Sequence, residues 1–283
     1  MIKLYANNKI DKRKWDSCVA DSQNELIYAY TWYLDIVSPN WSALVKEDYK
    51  AIFPLPIKKR LGISYISQPL FTQKLGLFSV NDLEDVKSFL KAIPKKVWIR
   101  SLQIHNQLDN AKIKDNFELD ISDDVEEVRK KYSQNVKRNL KKAAQHDLQI
   151  KKCESSALIQ LFKENKAKEV AELNSKAYST LLELLDKIHQ KEKGSCLGVY
   201  KEGKLISAAF FTNCLKKSVF LFSASNKTAK EIGANHFLID TYIENFKKDS
   251  LILDFEGSMI PSLARFYASF GAEKKCYYLI EKI

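Results

Sequence analysis

The sequence is poor in the residues on which metal and hydrolytic chemistry depend. Its four histidines, His105, His146, His189 and His236, lie far apart and never fall at metal-ligand spacing, so a metal site is not expected. Neither a G-x-S-x-G elbow nor a phosphate-binding P-loop occurs, which leaves a hydrolase or a nucleoside triphosphatase with little support. The five cysteines (Cys18, Cys153, Cys196, Cys214, Cys276) are scattered, odd in number, and form no C-x-x-C and no close Cys/His pair. That is the usage of reduced thiols in a cytosolic protein. No uninterrupted apolar run approaches the roughly 18 residues needed to span a bilayer. The opening MIKLYANNKIDKRKW lacks the apolar core of a secretion signal, so a cytoplasmic protein without an integral membrane segment is expected.

What is present suits a folded protein with anionic partners. At 283 residues, 45% of them hydrophobic and 11% aromatic, the chain can build a real core, and its length favours two domains. The expected division is 1–115 and 116–283. A formal charge of +11 points to nucleic acid, phosphorylated small molecules or an anionic membrane face. The excess is concentrated: nine Lys or Arg stand between Val128 and Lys152 against the single acid Asp147.

Periodicity predicts a mixed sheet flanked by helices, an α/β (α+β) arrangement. The N-terminal half reads as helices near 12–20, 28–36 and 81–92, with strands WSALVKE, KAIFPLPIKK, ISYISQPL and VWIRSLQIHN. Pro54 and Pro56 demote their strand to an edge or a bulge, because proline cannot donate to the ladder. The C-terminal half reads as NFELDIS, a basic helix over 125–144, LQIKKC, and two helices between 156 and 191. The hairpin CLGVYKEGKLISAAFFTN, the strand SVFLFSAS, a helix over 232–247, LILDFEGS, the helix PSLARFYASF and KKCYYLIEK follow. ALVKEDYKAIFPLP and GVYKEGKLISAAFF share a strand, Lys-Glu turn, strand pattern about 155 residues apart. This is a faint internal repeat, or two unrelated hairpins.

On the basic helix Val125, Val128, Tyr132, Val136, Leu140 and Ala143 share one face by their three- and four-residue spacing, which assigns that face to the core. Arg138 and Lys142 lie on the other side, either simply solvated or holding phosphate or carboxylate groups of an acidic substrate. Asn139, at the boundary, is a structural hydrogen bonder or a ligand. Asp254 and Glu256 alternate on a strand and so share a side. They could act as a general base and its neighbour, or one could cap the following turn or pair with Arg265. Arg265 is otherwise a contact for a substrate anion. In SASNKTAKEIGANHFLIDTYIENF an apolar strand leads into an amphipathic helix with Phe237, Leu238, Tyr242, Ile243 and Phe246 inward. Gly233 at its start would let a phosphate approach the exposed amides.

Lys230-Glu231-Ile232-Gly233-Ala234-Asn235 resembles the pyrophosphate loop [QR]-x-x-G-x-[GA] of the GNAT N-acetyltransferase superfamily. It departs from the pattern at Lys230 and Asn235. Together, LDFEGSMIPSLARFYASFGAEK, YSQNVKRNLKKA and PLPIKKRLGISYISQPLFTQKLG resemble the Fem peptidyltransferase-like branch, built from two GNAT-like domains in tandem. That resemblance implies two mixed, mostly antiparallel sheets flanked by helices. It also implies transfer of an acyl or aminoacyl group, from acyl-CoA or aminoacyl-tRNA, to an amine of an acidic, cell-wall-precursor type of substrate. The implied cofactor-binding residues are Lys230, Gly233, Ala234 and Asn235. Tyr267 matches the tyrosine with which many GNAT enzymes protonate the leaving thiol, although RFYASFG also packs aromatics at core spacing. Arg138, Asn139, Lys142, Ser258 and Arg265 are the substrate-binding candidates, and Asp254, Glu256 and Tyr267 the catalytic ones.

The helices between 156 and 191 read as short, interrupted at Asn174-Ser175 and at Tyr178-Ser179-Thr180. The long coiled-coil arm with which cell-wall members grip tRNA is therefore not expected, and tRNA is the less favoured donor. Two other classes stay open: a GNAT-like domain that binds a ligand without catalysis, and a nucleic-acid-binding module using the basic helix. The second lacks a stacking platform, since the aromatics of that helix sit on its core face.

Overall fold

The computed structural model describes residues 1–81, 84–166, 170, 173–214, 216–245, 247, 251–257 and 259–281. The chain divides into two compact units, Met1–Asp115 together with Cys276–Ile283, and Asn116–Lys275. In chain order the first unit opens with β1 (Ile2–Ala6), α1 (Lys12–Asp21), α2 (Thr31–Val37), β2 (Ser42–Lys46), β3 (Ala51–Leu55) and β4 (Ile57–Arg60). It continues with β5 (Ile63–Ser67), β6 (Phe78–Ser79), α3 (Val86–Lys91) and β7 (Val97–Ile104).

One sheet of this unit has the order β1-β2-β3-β6. β3 is buried throughout, and Pro54 is tolerated because pairing with β6 stops at Ile52, before the missing N–H would be needed. KAIFPLPIKK is thus two strands: Pro56 ends β3, and β4 joins another sheet with β5 and β7. In that sheet β5 and β7 run parallel. The packed interior combines Phe53, Phe89, Ile66, Ile99 and Leu102.

β8 (Lys112–Asp120) leads into the second unit, which continues with α4 (Val125–Lys130), α5 (Gln134–Ala143), β9 (Leu148–Lys152), α6 (Ser155–Asn165) and α7 (Ser175–Gln190). β10 (Gly194–Lys201), β11 (Lys204–Thr212), β12 (Lys217–Ser225), α8 (Lys227–Glu231) and α9 (Ala234–Asn245) follow. β13 (Ile252–Asp254), α10 (Pro261–Ser269) and β14 (Glu273–Ile280) close the chain. Residues Tyr278–Ile280 of β14 pair antiparallel with β7 in the first unit. The second unit's sheet has the order β8-β13-β12-β11-β10-β9, antiparallel except for the β12/β13 pair.

The basic segment is two helices rather than one. The break falls at Lys131–Ser133, where the Ser133 hydroxyl accepts the Val136 N–H and caps α5. The apolar face survives the break: Val128, Tyr132, Val136 and Ala143 are buried, with Val125 and Leu140 packed beside them. α7 runs unbroken through Tyr178-Ser179-Thr180, capped by the Asn174 side chain. The expected interruption there is absent because Ala177, Tyr178 and Leu181 are all buried, and packing outweighs the weak helix propensity of Ser and Thr. α6 lies on the sheet, with Phe162 against Phe222. On α9, Leu238, Tyr242 and Ile243 are buried as expected, while Phe246 lies outside the described residues.

Both ALVKEDYKAIFPLP and GVYKEGKLISAAFF are antiparallel hairpins, β2–β3 and β10–β11. Each turns through residues of positive φ, Glu47 and Tyr49 in the first, Glu202 and Gly203 in the second. Among the described residues, no helix is long and apolar enough to cross a membrane, and no group of three or more His, Cys, Asp or Glu could hold a metal ion.

Candidate active site

The second unit's sheet opens between its two parallel strands. β12 and β13 pair only over Lys217–Val219 and Ile252–Asp254. Past Val219, β12 stays with β11, and its partners shift at Leu221, since Phe210 faces Phe222 while Phe211 faces Phe220. Such a bulge bends the strand and increases its twist, turning β12 away. β13 ends because Glu256 adopts φ +60°, a left-handed conformation that no strand continues through. The following segment remains with β8: Phe255 N–H donates to the Phe117 carbonyl at 2.9 Å, and Phe117 N–H to the Glu256 carbonyl at 3.1 Å. The two strands therefore diverge on their C-terminal side.

Asp254 and Glu256 do not form the expected pair on one side of a strand, because the strand stops between them. The Asp254 carboxylate, 1% exposed, accepts the Glu256 backbone N–H at 2.8 Å. It thereby fixes the turn, which was the alternative reading of this motif. Its cation is Lys217, with Nζ 3.6 Å from Asp254 Oδ2 and 2.6 Å from Glu118 Oε1. Asp254 and Glu118 face each other in register across β13 and β8, and like charges so placed repel. Burial pulls the Lys217 ammonium down, but the two carboxylates outweigh it and hold its pKa above the ordinary value. Lys217 and Glu118 were not singled out from the sequence; a lysine at the start of an apolar strand carries no signal that two acids will meet it.

Tyr267 on α10 stacks on Phe255, with centroids 4.9 Å apart and planes 13° from parallel, and sits edge-on to Phe220. Burial, with the Glu256 charge adding to it, pushes its phenol well above the ordinary tyrosine value. Its hydroxyl makes no hydrogen bond among the described residues. The ring is core, as the aromatic spacing suggested.

Of the loop residues, Lys230 is exposed, Ala234 is fully buried, and Gly233 takes φ +78°. The Cβ side of Gly233 is occupied: a Cβ there would overlap the Asn139 carbonyl oxygen. This glycine serves close packing of α5 against the start of α9. Asn235 is also tied, its Oδ1 accepting from Ser207 Oγ at 2.7 Å and its Nδ2 donating to Ser225 Oγ at 3.2 Å. The same packing has a chemical consequence. It sets α5 beside the loop, so that Arg138 and Lys142, both exposed, flank Asn139 where that residue meets Gly233.

Asn139 Nδ2 donates to the Asn135 carbonyl at 2.8 Å, and Arg138 donates to Asn135 Oδ1 at 2.9 Å. Arg129, another cation of the basic segment, is engaged in the fold: its guanidinium grips Asp240 of α9 through two bonds of 3.0 and 2.7 Å. Arg265 is exposed on α10. Ser258 lies outside the described residues.

A split, mostly antiparallel sheet with one parallel pair, a bulge beside the split and a helix entering at a glycine turn is the GNAT-like architecture. No family model and no curated protein matches the chain. Solved structures do. FemX aligns over 96% of both chains with a TM-score of 0.72 at 12% identity. L-PGS from Bacillus licheniformis aligns over 95% of this chain and 90% of its own, with a TM-score of 0.58 at 10% identity. A tandem GNAT protein from the clavulanic acid biosynthesis pathway aligns over 99% and 98%, with a TM-score of 0.54 at 8% identity. The chain has the tandem GNAT fold of Fem-like proteins.

Proposed function

We propose that this chain is an N-acyltransferase that moves an acyl or aminoacyl group to an amine of an acidic substrate. The observation that carries this reading is the Tyr267 phenol, protonated and without a hydrogen bond among the described residues, beside Glu256 where β12 and β13 part. When bound, acyl-CoA or aminoacyl-tRNA supplies the activated acyl carbon. Lys230, Arg138 and Lys142 fit its phosphates as exposed cations beside the α8–α9 turn. Gly233 and Asn235 would contribute only backbone amides, since the Asn139 carbonyl fills the Cβ side of Gly233 and the Asn235 side chain is held by Ser207 and Ser225. Glu256 accepts the proton lost by the attacking amine, and the Tyr267 hydroxyl gives its proton to the departing sulfur or oxygen atom. Asp254 is a positioning residue that acts by holding the Glu256 backbone and Lys217. Arg265 is proposed to meet the acidic acceptor, a class that includes cell-wall precursors, in the cytoplasm.

Release of free thiol from acetyl-CoA and longer acyl-CoAs in the presence of a panel of amines tests the reading. A parallel assay follows transfer from aminoacyl-tRNA. No turnover with either donor, and no donor binding by calorimetry, would overturn it. The occupied face of Gly233 favours one second reading, a GNAT-like protein that binds its ligand without catalysis. Donor binding without turnover, unchanged by Tyr267→Phe, would select that alternative.

A further inference from the structure

The β4–β5 hairpin ends in a two-residue turn, Leu61-Gly62, with φ +49° and +81°. Two positive φ values in succession are the signature of the turn type in which Asn-Gly is the ordinary choice. Here a bulky leucine occupies the first position and is 93% exposed. The local backbone disfavours it, and with so little of it covered it contributes almost nothing to the core. It is also not alone. Ile63, 57% exposed, follows on β5, and Trp98, 64% exposed, stands on β7 directly beside Tyr65.

Ile63, Tyr65 and Trp98 share the sheet face opposite the buried Ile66 and Ile99, where with Arg60 and Arg100 they line one shallow hollow of about 330 Å³, and Leu61 stands in the turn at its end. Because β5 and β7 run parallel with Ser64 beside Val97, the Lys95-Lys96 turn lies at the same end of the sheet as Leu61. Residues 57–66 and 94–101 together carry six cations and no acid.

We propose that this face of the first unit docks on an anionic lipid bilayer. Leu61 and Ile63 enter the interface, Trp98 lies at headgroup depth, and the flanking Lys and Arg meet the lipid charges. An amphipathic indole beside exposed aliphatics and ringed by cations is the chemistry of an interfacial anchor. Charge alone would also suit single-stranded nucleic acid, and Tyr65 and Trp98 could stack on bases. A solvent-facing leucine at a turn that prefers asparagine gives nucleic acid nothing to recognise, whereas a bilayer gives it somewhere to go. The proposal is independent of the transferase reading.

Sedimentation of the full chain with phosphatidylcholine vesicles, with and without added phosphatidylglycerol, tests it alongside Trp98 fluorescence. Trp15 and Trp41 are fully buried and Trp32 is half-buried, and a blue shift that Trp98→Phe abolishes reports insertion at this face. Binding is expected only with phosphatidylglycerol, and it weakens with salt. Leu61→Asn suits the turn and preserves the fold, and weakens binding by about tenfold or more. Failure to bind phosphatidylglycerol vesicles, or equal binding by Leu61→Asn, overturns the proposal. So does a single-stranded polyuridine that quenches Trp98 and displaces the vesicles, an outcome that would reassign the face to nucleic acid.

Discussion

Lys217 Nζ lies 2.6 Å from Glu118 Oε1, and this contact on β12 and β8 lets a third charge, Asp254, sit buried beside the parted strands. Lys217→Met would remove the ammonium that bridges two carboxylates opposed in register. Breaking a buried charge network typically costs about 3–5 kcal/mol, and a loss of that size is expected from urea unfolding at neutral pH. Repulsion between opposed carboxylates is relieved in acid. The deficit relative to the parent chain should therefore shrink below roughly pH 5. A deficit that stays constant with pH would mean that Lys217 acts by packing alone.

Tyr267→Phe keeps the ring stacked on Phe255 and removes only the hydroxyl. The melting temperature should stay close to the parent value while acyl transfer falls by about 10²–10⁴-fold, the usual contribution of a positioned proton donor. Glu256→Gln should lower the rate similarly and shift the acid limb of the pH profile. Equal rates for Tyr267→Phe and the parent would return Tyr267 to a purely structural role.

Much of this fold was legible because its apolar patterns are strong. The core stripe Val128, Tyr132, Val136, Ala143 was readable from its spacing, and it survived even though the helix breaks before Ser133. The fragments LDFEGS and ARFYASFGA carried the resemblance to the Fem-like fold. What the sequence hid depends on register between distant strands. Glu118, Lys217 and Asp254 span well over a hundred positions and meet only because β8, β13 and β12 are neighbours. Cys153 and Cys196 looked unrelated, yet their sulfurs lie 2.9 Å apart, Cys153 just past the end of β9 and Cys196 on β10. The alternation that put Asp254 and Glu256 on one side failed for a local reason, the positive φ at Glu256. The packing of Gly233 against the Asn139 carbonyl was hidden too, because that carbonyl is supplied by a helix far away in sequence.

Gly233→Ala tests that packing. The substitution places a methyl group against the α5 backbone at a residue of φ +78°, and a loss of about 2–3 kcal/mol is expected from overpacking combined with the φ penalty. Gly203→Ala is the control: it has φ +74° but nothing within 4 Å, so only the φ penalty of about 1 kcal/mol applies. Similar losses at both sites in chemical denaturation would show that α5 yields to the methyl group.

His236, in the first turn of α9, packs against the rings of Phe266 and Phe270, and neither of its ring nitrogens has a hydrogen-bond partner among the described residues. Burial lowers its pKa from the ordinary 6.5 to about 4. The folded state thus keeps the imidazole neutral in a range where the unfolded chain takes up a proton. Since the unfolded state binds more protons between those two values, stability falls as pH drops from 6.5 toward 4 and this contribution changes no further below that. The shift corresponds to at most about 3 kcal/mol. His236→Phe removes the titrating group while keeping an aromatic ring between the same neighbours, so its unfolding free energy should be flatter over this window. The difference between variant and parent should grow steadily as the pH is lowered. A parallel pair of curves would mean that the imidazole finds a proton acceptor or water in the folded protein.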